Sequence, residues 1–250
     1  MNITSTMQII RATGTSDYKQ ITDDLWSKFE THLKSSGIIK EQDLSTIKRA
    51  YDLASTVHER DSRKDLKELY ITHPVEVALF LINDLAIRDP ELIAAALLHD
   101  AHEDHPEEVP LIKIKDEFGD RIHRIIKGLT NPEIDNETLE RLNSEHDKQW
   151  AKIDFYQAHV MEAIKDDDVY VIKLSDFRNN ALKLDNLASK PETQARLANK
   201  YYALIQVFRD RARECPYTQR FPWIAQEFEA ALPKVESYAK SWKFYPKEKA

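Results

Sequence analysis

Glycine is scarce in this chain: four among 250 residues, Gly14, Gly37, Gly119 and Gly128, and no two are neighbours. A P-loop or a dinucleotide-binding fingerprint needs clustered glycines where backbone must approach phosphate, so both are excluded. The same scarcity argues against all-β sandwiches and barrels, which use glycine at frequent turns. Cysteine is limited to Cys215, so no internal disulfide can form and nothing requires an oxidising compartment. A basic excess is missing too. Asp and Glu number 43 against 36 Lys and Arg, a net charge of −7, which is the reverse of what a general phosphate-backbone binder shows. Nucleic acid is therefore not an expected partner. Apolar runs such as residues 77–82 fall far short of the roughly 20 residues that a membrane span needs. Residues 1–16 lack the apolar core of a signal peptide. The expectation is a cytoplasmic protein that does not engage membranes.

What is present is helical period. The hydrophobic share of 42 % is enough for a sizeable core. Residues 1–20 read as a loose arm, and 21–35 as a short amphipathic helix stopped near Gly37. Leu44, Ile47, Ala50, Tyr51, Ala54 and Val57 make one face of a helix over about 43–60. Pro74 suits the first turn of a helix over 75–82 that is apolar on nearly every side, the pattern of an enclosed element. Asp89-Pro90-Glu91 opens another such helix through Leu98. Gly119 and Gly128 stand where helix ends favour glycine.

Residues 137–164 keep a helical period with a charged surface, and the acidic triplet 166–168 reads as a solvated turn or cap. Residues 169–174 have strand-like composition in a run too short for pattern to decide. Pro191-Glu192 opens a long helix to about Arg213, Pro222 opens the last one, and residues 240–249 read as a solvated tail. With no internal repeat and no low-complexity linker, the chain reads as all-α.

The chemistry gathers after residue 98. Seven apolar residues, 92–98, deliver His99-Asp100-Ala101-His102-Glu103-Asp104. Residues three and four apart share a helix face, so His99, Asp100, Glu103 and Asp104 form an ionisable stripe at the mouth of an apolar core. Buried charges are costly unless paired or bound to a metal, and neighbouring carboxylates repel. A divalent cation resolves both problems. Two further segments complete a ligand set: His73, opening the other enclosed helix, and Asp176, which follows the apolar run ending at Leu174, with Asn180 one turn on. Two imidazoles and two carboxylates suit Mn²⁺, Fe²⁺, Co²⁺ or Zn²⁺, and the absence of cysteine ligands argues against a structural zinc.

The order His73 … His99-Asp100 … Asp176 resembles the metal set of the HD superfamily of phosphohydrolases. The closer resemblance is to the hydrolase domain of the RelA/SpoT homologue family, which includes stand-alone small alarmone hydrolases. It rests on residues 70–74 (YITHP), 95–100 (AALLHD) with Glu103-Asp104, Phe118-Gly119 with Gly128-Leu129-Thr130, and 173–176 (KLSD) with Asn180, and it covers about 45–210. The fold it implies is a single HD-type helical domain with additional N- and C-terminal helices. The segmentation expected is an arm and helix over 1–42, a hydrolase core over 43–214 and a helical extension over 215–250.

The resemblance implies hydrolysis of the 3′-pyrophosphate of ppGpp or pppGpp to GDP or GTP and pyrophosphate, usually with Mn²⁺. By position, His73, His99, Asp100 and Asp176 would bind the metal, and Glu103 and Asp104 would orient or deprotonate the attacking water. Arg63 and Lys64 would meet the substrate's pyrophosphate, and Asn180 its ribose or base. The chain departs from the family's pattern in three places. The segment between Lys64 and His73 is one residue short, His102 replaces an apolar residue, and His105-Pro106 follows Asp104 in place of a threonine. These leave open an HD phosphohydrolase of another nucleotide, and the helices at 21–35 and 222–242, outside the matched region, leave open a helical antitoxin-like protein that binds a toxin through them.

Overall fold

The computed structural model describes residues 18–38, 40–61 and 69–245, and no β-strand occurs among them. The helices group into two compact units, residues 1–130 and 131–250.

In the first unit, α1 (Tyr18–Ser35) and α2 (Glu41–Val57) pack together. Tyr51 of α2 donates its hydroxyl to Thr22 O at 2.7 Å, and Tyr18 of α1 donates to Ser55 O at 2.7 Å. Next come α3 (Thr72–Asn83) and α4 (Pro90–Leu98), the two helices expected to be enclosed. Every residue from Leu92 to Leu98 is buried, because α4 packs against α2, against α3 and against α6 (Leu111–Leu129). A helix with neighbours on three sides has no face left for polar residues.

The start of α4 is pinned as its sequence suggests. Asp89 accepts from the backbone N–H groups of Glu91 and Leu92 at 3.0 and 3.3 Å, with Pro90 in the first turn. Arg121 of α6 closes the arrangement with Nη1 at 2.7 Å from Asp89 and 3.0 Å from Glu91. Between α4 and α6 lies a single helical turn, α5 (Ala101–Asp104). Gly119 interrupts α6 with φ of +88°, a left-handed conformation that glycine adopts without penalty. Gly128, by contrast, lies within the last turn of α6.

In the second unit, α7 (Asn136–Glu140) and α8 (Glu145–Ala163) precede α9 (Asp167–Ala181), followed by a 3₁₀ turn (Leu184–Leu187), α10 (Pro191–Glu214) and α11 (Pro222–Lys240). The long α10 is the spine, packing on α8, α9 and α11. Phe177 of α9 stacks on Phe208 of α10 at 4.1 Å between ring centroids. Arg178 grips Glu227 of α11 through two parallel hydrogen bonds of 2.6 and 2.8 Å.

The run 169–174 is helix, not strand. Asp166 caps it by accepting from Asp168 N and Val169 N, the cap alternative for the acidic triplet. All six residues of the run are buried. Its β-branched composition therefore reflects enclosure on every side, which overrides the weak local preference of Val and Ile for strand.

Candidate metal centre

The centre forms within the first unit, where the beginning of α3 and the end of α4 bring two imidazoles and a carboxylate together. Thr72 fastens the entry to α3 by donating to Leu69 O at 2.8 Å, and His73 follows in the first turn. His99 ends α4, 4 % exposed, and its ring Nδ1–H donates to Ala96 O at 2.9 Å. That hydrogen bond leaves the lone pair on Nε2, the atom that faces His73 and Asp100. His99 Nε2 lies 3.2 Å from His73 Nε2 and 3.0 Å from Asp100 Oδ2, while His73 Nε2 lies 3.5 Å from the same oxygen.

This triangle fits a divalent ion. Ligand atoms about 2.1 Å from a transition cation stand roughly 3.0–3.4 Å apart in tetrahedral or octahedral coordination. The chemistry also fits: two neutral imidazoles with one carboxylate is a borderline N/O donor set. The second ring nitrogen of His99 is oriented by the Ala96 carbonyl.

Tyr70 adds a contact that the sequence reading did not assign. Its hydroxyl donates to Asp100 Oδ2 at 2.6 Å. The available signal was its spacing, a hydroxyl three residues before His73 at a helix entry. Burial opposes ionisation of Asp100. The neighbouring His99 and His73, together with the Tyr70 hydrogen bond, outweigh it and hold the carboxyl well below the usual carboxylate range.

The backbone continues in a helical turn, with Asp104 N–H donating to Asp100 O at 2.9 Å, so Glu103 and Asp104 follow directly on α5. Asp104 shifts the other way. Partial burial, then the negative charges of Asp100 and Glu103, push its pKa up. His102 serves a different purpose from its neighbours: its Nδ1–H donates to Val109 O at 2.9 Å and ties down the loop after α5.

Of the residues singled out by sequence, the fold of the first unit thus brings together His73, His99 and Asp100, with Glu103 and Asp104 one turn on. Asp176 and Asn180 lie on α9 of the second unit, where Asn180 Nδ2 donates to Asp176 Oδ1 at 2.7 Å. That bond confirms the one-turn spacing of the pair. Arg63 and Lys64 lie outside the described residues. No helix among the described residues is long and apolar enough to cross a membrane.

Comparison with known proteins places these residues in context. Residues 50–212 match the family model described as HD domain. The bifunctional (p)ppGpp synthase/hydrolase SpoT of Escherichia coli is 30 % identical over 162 residues, 65 % of this chain and 21 % of that protein. The human guanosine-3′,5′-bis(diphosphate) 3′-pyrophosphohydrolase MESH1 is 31 % identical over 109 residues, 42 % of this chain and 60 % of that protein. The chain spans about a fifth of the length of the long bacterial relatives it matches. Among solved structures, that of a metazoan ortholog of SpoT that hydrolyses ppGpp is similar with a TM-score of 0.54 and 19 % identity. It covers 75 % of this chain and 96 % of its own, a likeness of fold.

Proposed function

Because the chain belongs to the HD domain family, we propose that it is a metal-dependent hydrolase of guanosine alarmones. It removes the 3′-pyrophosphate of ppGpp and pppGpp and releases pyrophosphate with GDP or GTP. The observation that carries this reading is the donor triangle of His73, His99 and Asp100, with a carboxyl of raised pKa, Asp104, one turn beyond. Its support in sequence is the likeness to proteins named as ppGpp hydrolases.

In this scheme His73, His99, Asp100 and Asp176 would hold the cation, which we take to be Mn²⁺. Asp176 enters the set on its motif, the acid that follows the apolar run before Asn180. When bound there, a divalent ion would polarise a phosphoryl oxygen and ease deprotonation of water. Glu103 and Asp104 orient that water, and Asp104 takes its proton, since a carboxylate of raised pKa is the better base near neutral pH. Water oxygen bonds to the phosphorus that carries the ribose 3′ oxygen, and the P–O3′ bond breaks. Pyrophosphate leaves with the water's oxygen, and the 3′ oxygen ends as a hydroxyl. Arg63 and Lys64 offset charge on the pyrophosphate, Arg with two parallel hydrogen bonds and Lys as a point charge. Asn180 contacts the ribose or base.

The test is release of GDP and pyrophosphate from ppGpp, with and without Mn²⁺, for wild type and Asp100→Ala. Metal-dependent release that the variant loses supports the proposal. No release, with metal still bound, overturns the alarmone assignment and turns the search to other nucleotides. A contact role through the terminal helices α1 and α11 predicts instead that Asp100→Ala keeps its full effect on a toxin in cells.

A further inference from the structure

A second group of cation-ligating side chains lies in the first unit, built from residues that the reaction above does not use. His58 ends α2, Asp61 follows in the next turn and His105 ends α5. One donor atom from each lies within 4.8 Å of the other two. Asp61 Oδ2 is the hub, 2.7 Å from His58 Nδ1 and 2.7 Å from His105 Nε2. We infer that His58, Asp61 and His105 form a second divalent-cation site of the two-histidine, one-carboxylate type, which ties the end of α2 to the end of α5.

Four features of the cluster support a cation rather than a plain hydrogen-bonded trio. First, the geometry is set by backbone before any ion arrives. His58 N–H donates to Ala54 O, Asp61 N–H to His58 O and His105 N–H to Ala101 O, all at 3.1–3.2 Å. A preformed donor set binds without the cost of ordering its ligands. Second, His58 is fully buried, stacked on Tyr70 at 4.4 Å with His105 edge-on at 4.9 Å. Its Nε2 has no hydrogen-bond partner among the described residues. A ring so enclosed favours the neutral form, which is the ligating form. Third, His105 presents Nε2 to the hub while its Nδ1 faces the Glu108 carboxylate at 3.8 Å. A carboxylate behind the far nitrogen is the usual support of a metal-bound histidine. Fourth, Glu103 and Asp104 immediately precede His105 on α5, and a cation in the cluster offsets their negative charge. The donor set suits Zn²⁺, Co²⁺ or Mn²⁺, and three protein ligands leave a position for water.

Tyr70 joins the two groups. Its ring stacks on His58, and its hydroxyl holds Asp100. The second site is nonetheless separable by mutation, because it shares no ligand with the first.

The experiment counts Zn²⁺ per chain by equilibrium dialysis and elemental analysis of chelator-stripped protein. It compares wild type with a first-site variant, His73→Ala/Asp100→Ala, and a second-site variant, Asp61→Asn/His105→Ala. The expected stoichiometry is two, one and one, with Co²⁺ absorption bands retained in each double variant. One Zn²⁺ in wild type that the second-site variant keeps, or none at all, overturns the inference. One Zn²⁺ in wild type that the second-site variant loses and the first-site variant keeps supports it and refutes the metal assignment at His73 and Asp100. Should the double variant lose its far-UV circular dichroism, His105→Gln alone replaces it. The expected result is then a Zn²⁺ Kd for the second equivalent weakened roughly tenfold or more, and an unchanged Kd overturns the site.

Discussion

The two ends of the stretch from His99 to Asp104 face opposite electrostatic conditions, although a single helical turn separates them. At one end Asp100 meets two imidazoles and a phenol hydroxyl and is held ionised. At the other, Asp104 is pushed toward its neutral form, first by partial burial and then by the charges of Asp100 and Glu103. Two aspartates four residues apart thus acquire different chemistry from their burial and their neighbours. One is a permanent anion suited to hold a cation, and the other is a carboxyl suited to exchange a proton.

The strongest way to break this contrast is at the anion. Asp100→Ala should reduce ppGpp hydrolysis to the level seen without metal, measured by pyrophosphate release. At the proton-exchanging end, Asp104→Asn should cost about 10²–10⁴-fold in kcat, the usual share of general base catalysis. Bound metal should stay near the wild-type level, measured by elemental analysis. Tyr70→Phe keeps the ring stacked on His58 and removes only the hydroxyl bonded to Asp100. It should weaken metal affinity by about 10–100-fold, the range found for groups that orient a ligand, measured by equilibrium dialysis.

The smallest effect, and the sharpest for the comparison, is in stability without metal. A carboxyl whose folded pKa lies below its unfolded value stabilises the fold above the unfolded pKa, and that contribution fades as pH falls through the folded one. A raised carboxyl does the reverse, favouring the fold in acid and losing that contribution as pH rises through the folded pKa. At neutral pH in chelator, Asp100→Asn should therefore lower Tm and Asp104→Asn should raise it. The gain for Asp104→Asn should disappear in acid. Two Tm shifts of the same sign at neutral pH would contradict the opposite environments of these residues.

Much of this was readable from the sequence, for reasons that differ by residue. The enclosed helices α3 and α4 announced themselves because a segment packed on three sides keeps no polar face, and Leu, Ala and Phe fit both enclosure and helix. The third enclosed helix, α9, stayed ambiguous because Val169, Val171 and Ile172 favour strand when nothing else is known. What decides it is the Asp166 cap and burial on all sides.

His99, Asp100, Glu103 and Asp104 were legible as a set since local spacing places them on one turn. Tyr70 belongs to the YITHP motif, yet its role is not legible there, because a hydroxyl aimed at a residue 30 positions away leaves no periodic trace. The same holds for His58, Asp61 and His105, where a 44-residue separation hides the meeting of Asp61 and His105. Gly119 fulfils the expected break through its positive φ, whereas Gly128 simply sits in the last turn of α6.

The manner in which α4 is held has an electrostatic consequence of its own. Aligned peptide dipoles leave roughly half a positive charge at the start of a helix and half a negative charge at its end. The start of α4 is already answered by the carboxylates of Asp89 and Glu91. Its end, with the carbonyls of the last turn, falls at His99 and Asp100. The helix is therefore a polarised rod, neutralised at one pole and open to a cation at the other. Part of the attraction for the ion resides in main chain, where no side-chain replacement can delete it.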